Sequence, residues 1–200
     1  MSTRDVILAA VRKNRSQPVV PLPELPKISH SGEPALSYFR RQLEEMGGRS
    51  FEVADAVAAR AKVAELFPAA RVVCSAVDEV PGNRSVKNID NPRKLNDVDV
   101  GIVRSRLGVA EAGAVWLTEG DLVVNALGVL SQHLVVLLDP SSIVATMHDA
   151  YAQIDLTGST YGVFMAGPSA TGDIEGVIIH GAQGARSMTI LILADPADPR

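Results

Sequence analysis

The sequence predicts an α/β domain in which a largely parallel sheet is flanked by helices. Short β-branched runs alternate with segments whose apolar residues recur at helical spacing, which is the pattern of an α/β chain. The run 134–138 is entirely apolar, as expected of a strand that is buried on both faces. Hydrophobic residues make up 46% of the 200 residues and charged residues 21%, so the chain can build one sizeable core.

The first 30 residues differ from the rest of the chain. Residues 2–14 predict a short amphipathic helix, capped by Ser2 or Thr3, because apolar residues recur there at helical spacing. Residues 17–26 contain four prolines, which exclude a helix or a central strand and indicate an extended connector. We therefore predict an N-terminal helix and proline-rich connector over residues 1–30, an α/β domain over 31–195 and a tail over 196–200.

The elements within the α/β domain follow from apolar periodicity and from capping and breaking residues. Asp55 is a typical N-cap and Pro68 a typical stop, so we predict a helix over 55–67, and two glycines end another over 33–46. We predict strands at 50–53, 71–76, 99–103, 134–138, 163–166 and 188–194. We also predict a hairpin of 114–117 with 121–124, a helix over 141–151 capped by Ser141 or Ser142, a short helix or turn over 171–179 and a long loop over 78–96.

Composition excludes several classes of function. The net charge is −4 and aromatic residues are 4% of the chain, so we expect no nucleic-acid partner. Cys74 is the single cysteine, too few for an internal disulfide, an iron–sulfur cluster or a thiolate zinc site. No histidines or carboxylates have metal-ligand spacing, so we expect no metal. The chain lacks a signal peptide and an apolar run of the ~20 residues that span a membrane, so we expect a soluble, cytoplasmic protein without a membrane partner.

The segment 167–175 is the first candidate site. It follows an apolar run and contains Gly-Pro, hydroxyl residues and two acids, which predicts a strand-to-helix anion site. In this interpretation Gly167, Ser169 and Thr171 hold a carboxylate or phosphate, while Asp173 or Glu175 orients the substrate or acts as a base. The alternative is an ordinary helix cap, and spacing alone does not separate the two.

Two further segments contain candidate residues. Glu111 lies among alanines and a glycine, so its carboxylate is either desolvated, as a catalytic base would be, or paired with Arg104 or Arg106. Those arginines can instead bind an anionic ligand.

The loop 181–184 contains two glycines three residues apart, which allow a tight turn with inward N–H groups. Gly181, Gln183 and Gly184 are therefore ligand-binding candidates, and a plain connecting turn is the alternative. His133 and His148 are interpreted as structural.

These three segments resemble the LUD domain family, in particular its lactate-utilisation protein C (LutC) type, in order and spacing. Residues 110–114 read Ala-Glu-Ala-Gly-Ala, where the family has Ala-Glu-Thr-Gly-Thr. Residues 167–175 read Gly-Pro-Ser-Ala-Thr-Gly-Asp-Ile-Glu, where the family has Gly-Pro-Ser-(Arg/Lys)-Thr-Ala-Asp-Ile-Glu. Residues 181–185 read Gly-Ala-Gln-Gly-Ala, where the family has Gly-X-His-Gly-Pro.

The chain departs from the family at four positions. Ala112 and Ala114 replace threonines, Ala170 replaces a basic residue and Gln183 replaces a histidine. Each change removes a hydroxyl, a charge or a titratable group. The resemblance therefore implies a divergent member whose pocket has changed.

The resemblance implies a fold similar to the sugar-phosphate isomerase/CoA-transferase/formyltetrahydrofolate cyclo-ligase group. It implies a non-redox subunit or accessory factor in the oxidation of L-lactate to pyruvate. No cofactor is expected in this chain, and iron–sulfur clusters are expected on partner subunits. The alternatives are an autonomous enzyme acting on a small phosphorylated, carboxylated or CoA-linked metabolite, and a ligand-binding or regulatory protein that keeps the fold without chemistry.

Overall fold

The computed structural model describes residues 2–15, 21, 23, 32–155 and 157–193. The chain divides into two compact units, residues 1–31 and residues 32–200. The predicted tail and most of the predicted proline-rich connector lie outside the described residues.

The first unit contains the helix α1, Thr3–Lys13. Ser2 caps it, because its hydroxyl accepts a hydrogen bond from the backbone of Asp5, whose carboxylate in turn binds the Ser2 backbone. The predicted helix and its Ser2 cap are thus confirmed. Among the described residues α1 buries no side chain, and Val6, Ile7 and Val11 are each more than half exposed.

The second unit holds five helices and twelve strands among its described residues. The helices are α2 (Ala35–Glu45), α3 (Ala56–Leu66), α4 (Glu119–Leu122), α5 (Leu127–Leu130) and α6 (Met147–Gln153). The strands are β1 (Arg49–Glu52), β2 (Val73–Ser75), β3 (Arg84–Ser85), β4 (Val100–Ser105), β5 (Gly108–Val109), β6 (Ala114–Thr118), β7 (His133–Leu138), β8 (Ile143–Val144), β9 (Gly162–Met165), β10 (Ala170–Ile174), β11 (Val177–His180) and β12 (Ser187–Ile192).

The strands form three sheets. The main sheet has six parallel strands in the order β1-β12-β7-β4-β2-β3. A smaller, mixed sheet has the order β8-β5-β6-β9, and β10 and β11 form a separate antiparallel hairpin. The predicted α/β class with a largely parallel sheet flanked by helices is therefore confirmed.

The main sheet is buried on both faces. Helix α3 covers one face, which we call the α3 face, and packs Ala59, Val63 and Phe67 on β4, β7 and β12. The helix forms where the sequence predicts it, since the Asp55 carboxylate caps its first turn by accepting from the backbone N–H of Ala58 at 2.8 Å. On the opposite face Phe39 of α2 and the smaller sheet close a second cluster. Burial on both faces explains why the strands are apolar throughout.

Four predicted elements differ in the structure, and one of them, the short helix or turn over 171–179, is instead the hairpin of β10 and β11. The hairpin of 114–117 with 121–124 is wrong, because Thr118 and Asp121 form a capping box that starts α4 directly after β6. The helix over 141–151 is wrong in its first half, where β8 intervenes and α6 starts only after Thr146. The Asp139 carboxylate caps the preceding turn, and neither serine does so. The predicted loop 78–96 contains β3 and two short 3-10 turns.

Candidate functional site

The segment 167–175 does not lead into a helix. It forms β10, which pairs with β11 around the two-residue turn Glu175-Gly176. Both turn residues have positive φ, 54° and 72°, as in a type I′ hairpin turn. The predicted strand-to-helix anion site is therefore wrong in its geometry, since no helix N-terminus presents free N–H groups there.

The backbone of this segment is hydrogen-bonded to the third motif. The Ser169 N–H donates to the Ala185 carbonyl at 2.9 Å, and the Gly181 N–H donates to the Ser169 carbonyl at 2.7 Å. A Cβ at Gly184 would lie 2.8 Å from the Cβ of Ser169, so the glycine permits this close approach. The structure thus brings the second and third motifs together, and two of their N–H groups serve that contact.

The polar side chains of the hairpin point to solvent or to one another. The Thr171 hydroxyl donates to the Asp173 carboxylate at 3.1 Å and accepts from the Asp173 backbone N–H at 3.3 Å. Asp173, Glu175 and Gln183 are exposed. Their proposed roles in catalysis or ligand binding remain predictions.

Helix α2 supports the first two motifs. Gly113 packs against the backbone of Leu43, and Gly167 packs against the carbonyl of Met46, about one helical turn further along α2. Both glycines have positive φ, 56° and 71°, and any Cβ at either position would overlap the helix backbone. Each glycine therefore has a structural reason that does not require a ligand.

We call these contacts the motif junction. It comprises the loops 110–113 and 167–169, which contact the C-terminal half of α2, and the loop 181–185, which contacts residues 167–169. Gly181 also packs on the side chain of Arg186, where a Cβ would lie 2.6 Å from Cγ.

Glu111 caps a helix in the structure. Its Oε1 accepts from the backbone N–H of Met147, the first residue of α6, at 2.7 Å. The Glu111 N–H donates to the Ala145 carbonyl at 3.1 Å, which fixes the approach to the helix. A carboxylate at a helix N-terminus is favoured by the helix dipole, so this contact accounts for a half-buried acid among small residues.

The predicted ion pair of Glu111 with a nearby arginine is not formed among the described residues. Arg104 instead donates from Nε to Oε1 of Glu79 at 2.7 Å, and both side chains are largely buried, 11% and 21% exposed. This leaves Arg104 a charge-compensated structural residue on the α3 face. Arg106 is exposed. Sequence reasoning missed Glu79, which lies 25 residues from Arg104 in the stretch predicted as a loop.

The described residues contain no cluster of candidate metal ligands. Within them, no three histidine, cysteine or carboxylate side chains stand close enough to share a metal ion. Within the same residues, no helix has the length and apolar character needed to cross a membrane.

Comparison with known proteins identifies the family. The family model described as the LUD domain matches residues 83–193, which is more than half of the chain and contains all three motifs. Among solved structures, the chain is similar to a DUF162 family protein from Deinococcus radiodurans, with 14% identity and a TM-score of 0.62. The match covers 80% of this chain and 96% of that chain, and it shows a shared fold. No curated protein matches this chain.

Proposed function

Because the chain belongs to the LUD domain family, we propose that it is a lactate-utilisation protein of the C type. In this proposal it is a non-redox subunit or accessory factor in the oxidation of L-lactate to pyruvate in the cytoplasm. The observation that supports the proposal is that the LUD match spans the three motifs in order. These are the Glu111 segment, the Ser169 segment and the loop 181–185.

The proposal assigns the redox centres to partner subunits. Oxidation of lactate to pyruvate removes two electrons, which need an acceptor. Iron–sulfur clusters are commonly held by four cysteine thiolates, whereas this chain has one cysteine, and Cys74 is buried in the main sheet. The resemblance to the lactate-utilisation C type implies iron–sulfur subunits, and we propose these as the partners.

The hairpin beside the motif junction is the surface that we propose for this partner. Ile178 of β11 is 62% exposed, and Val177, whose side chain points to the opposite face of the hairpin, is 60% exposed. Each face of the hairpin therefore presents one apolar side chain to solvent. Met46, at the end of α2 and against Gly167, is half exposed as well. A partner seated here would contact the apolar side chains and the motif loops together.

Growth of the native host tests the pathway. We expect a strain that lacks this chain to lose growth on L-lactate and to keep growth on pyruvate, because pyruvate enters metabolism after the proposed step. The strain should recover when the chain is restored. Normal growth of the deletion strain on L-lactate would contradict the proposal.

Affinity purification tests the partner and the surface. We expect the tagged chain to recover iron–sulfur subunits from lactate-grown cells, and Ile178→Lys to reduce that recovery. Val57→Lys is the matched control, because Val57 is 70% exposed on α3, away from the hairpin in the sequence. Recovery of the unmodified chain alone would overturn the assignment of partners, and equal recovery by both variants would overturn the assignment of the surface.

A further inference from the structure

A second candidate region lies where the parallel strands begin, next to the motif loop 181–185. A cleft of about 470 Å³ opens between the C-terminal end of α3 and the amino ends of β4, β7 and β12. We call it the amino-edge cleft. Residues 66–70 form its apolar wall, and its polar lining is Asp99, Gln132, His133 and Arg186.

Strand register places the polar side chains of the cleft on the α3 face. His133 pairs with Ser187, and Arg49 pairs with Thr189, so these four residues share the face that α3 covers. His133 Nδ1 is hydrogen-bonded to the Ser187 hydroxyl at 2.8 Å. Its ring lies 4.7 Å from the Phe67 ring, centroid to centroid, so the imidazole is held in one orientation.

Three polar groups in the cleft have no partner within the described part of the chain. Among the described residues, no hydrogen bond is made by Nε2 of His133 or by the side-chain amide of Gln132, and no ion pair is made by the Arg186 guanidinium. By contrast, three other arginines of the second unit each form an ion pair with a carboxylate: Arg40, Arg41 and Arg84. Unpaired donors gathered in one cleft are a mark of a binding site.

The local charge is positive although the whole chain is acidic. Arg49 also lacks a carboxylate partner among the described residues, and it binds Thr189 and lies over the Phe67 ring. Burial, Arg49 and Arg186 lower the pKa of His133, and the carboxylate of Asp99 opposes that shift. Asp99 is held by the N–H groups of Val72 and Arg71, at 2.9 and 2.7 Å. The His133 imidazole is therefore close to two guanidinium groups, Arg49 and Arg186, and to one carboxylate, Asp99.

We propose that the amino-edge cleft binds a small organic carboxylate with an apolar body. The Arg186 guanidinium and the Gln132 amide donate to the carboxylate group. The Nε2–H of His133 donates to it as well, in the tautomer whose Nδ1 accepts from the Ser187 hydroxyl. The apolar body packs on the wall formed by Phe67, Pro68 and Ala70. The cleft adjoins the motif junction, since the side chain of Arg186 also packs against Gly181. The proposal does not rest on the proposed role in lactate oxidation.

A matched set of ligands tests the carboxylate contact and the apolar contact separately. The probe is 4-methylpentanoate, which has both the charge and the apolar body. Acetate keeps the charge without the body, and 4-methylpentanamide keeps the body without the charge. We expect 4-methylpentanoate to bind at least tenfold more tightly than either, measured on the full chain from the ring signals of His133 by NMR. Those signals are assigned with His133→Gln.

Variants locate the binding. We expect Arg186→Gln to weaken 4-methylpentanoate binding at least tenfold and to leave the unfolding transition unchanged. Arg186 is exposed and forms no ion pair among the described residues, and Gln keeps the Cγ that packs against Gly181. Arg93→Gln is the control, since Arg93 is an exposed arginine in a different cleft. No shift of the His133 signals at millimolar 4-methylpentanoate would overturn the proposal. Equal binding by the two variants would overturn it as well, and binding as tight for acetate would overturn the apolar contact.

Discussion

The motif junction and the amino-edge cleft make opposite use of their residues. At the junction the distinctive residues are glycines, and backbone groups such as the Ser169 N–H are already bonded within the protein. No glycine lines the cleft, and the side chains of Arg186 and Gln132 have no partner among the described residues. The motif junction therefore explains the sequence motifs, and the amino-edge cleft has polar side chains that are available to bind a ligand.

This difference shows what a sequence motif records. A glycine that must admit a helix backbone is constrained by its position alone, so it stands out in a sequence whether or not a ligand binds. Gly113 and Gly167 are of this kind. A binding side chain such as Gln132 has no such local constraint, and its partners in the cleft come from distant parts of the chain.

The largest effect should come from Gly113→Ala. The new Cβ would overlap the Leu43 backbone, and the residue would keep a positive φ of 56°. We expect the free energy of unfolding to fall by about 3 kcal/mol or more, measured by urea denaturation. Gly120→Ala is the control, because its Cβ would meet only the Thr118 hydroxyl at an ordinary 3.5 Å, and we expect a change within about 1 kcal/mol. Similar stability for both variants would show that the junction does not depend on this close contact.

A middle-sized effect is expected from Glu111→Ala. This change removes the acceptor of the Met147 N–H at the start of α6, so we expect a loss of about 1–2 kcal/mol in the free energy of unfolding. Glu111→Gln keeps an acceptor oxygen and loses the charge, so its loss should be smaller, under about 1 kcal/mol. Chemical denaturation of the two variants measures this. If the Ala variant is as stable as the unmodified chain, the Glu111 carboxylate does not stabilise the start of α6, and the capping role is wrong.

The smallest effect is a pH dependence that comes from the cleft. The pKa of His133 lies below its ordinary value of 6.5 in the folded protein, so the unfolded chain binds the proton more readily. The free energy of unfolding should therefore fall as the pH drops below about 6.5, and level off below the folded pKa. The slope for one proton is at most about 1.4 kcal/mol per pH unit.

Denaturation at several pH values between 5.5 and 7.5 checks this slope. His133→Gln should flatten it, because the titrating imidazole is removed. His148→Gln, at an exposed position of α6, should leave it in place. The reverse pattern would mean that burial and the Arg49 and Arg186 charges do not lower the pKa of His133.

The sequence predicts the core of the fold better than its periphery. The strand at 134–138 and the helix over 55–67 are recognised because burial and a capping aspartate act locally. The hairpin of β10 and β11 is missed because Ser, Thr and acidic residues suit a helix cap as well as a turn, and pairing decides between them.

The candidate site is only partly predictable for the same reason. The sequence groups the second and third motifs, and hydrogen bonds join them in the structure. The sequence does not predict the ion pair between Glu79 and Arg104, because that contact depends on the order of the strands in the sheet. The amino-edge cleft shows no sequence pattern beyond polar residues such as Asp99 and His133 that stand at the start of apolar strands.

The position of β12 has a consequence for biosynthesis. β12 lies between β1 and β7 in the main sheet, although it is formed by residues 187–192. A nascent chain on the ribosome therefore presents β1 without a neighbour and β7 with an open edge until those residues emerge. Open parallel edges are slow to pair and prone to association. We expect the newly made chain to need chaperones during synthesis. A chain that is truncated before residue 187 should aggregate.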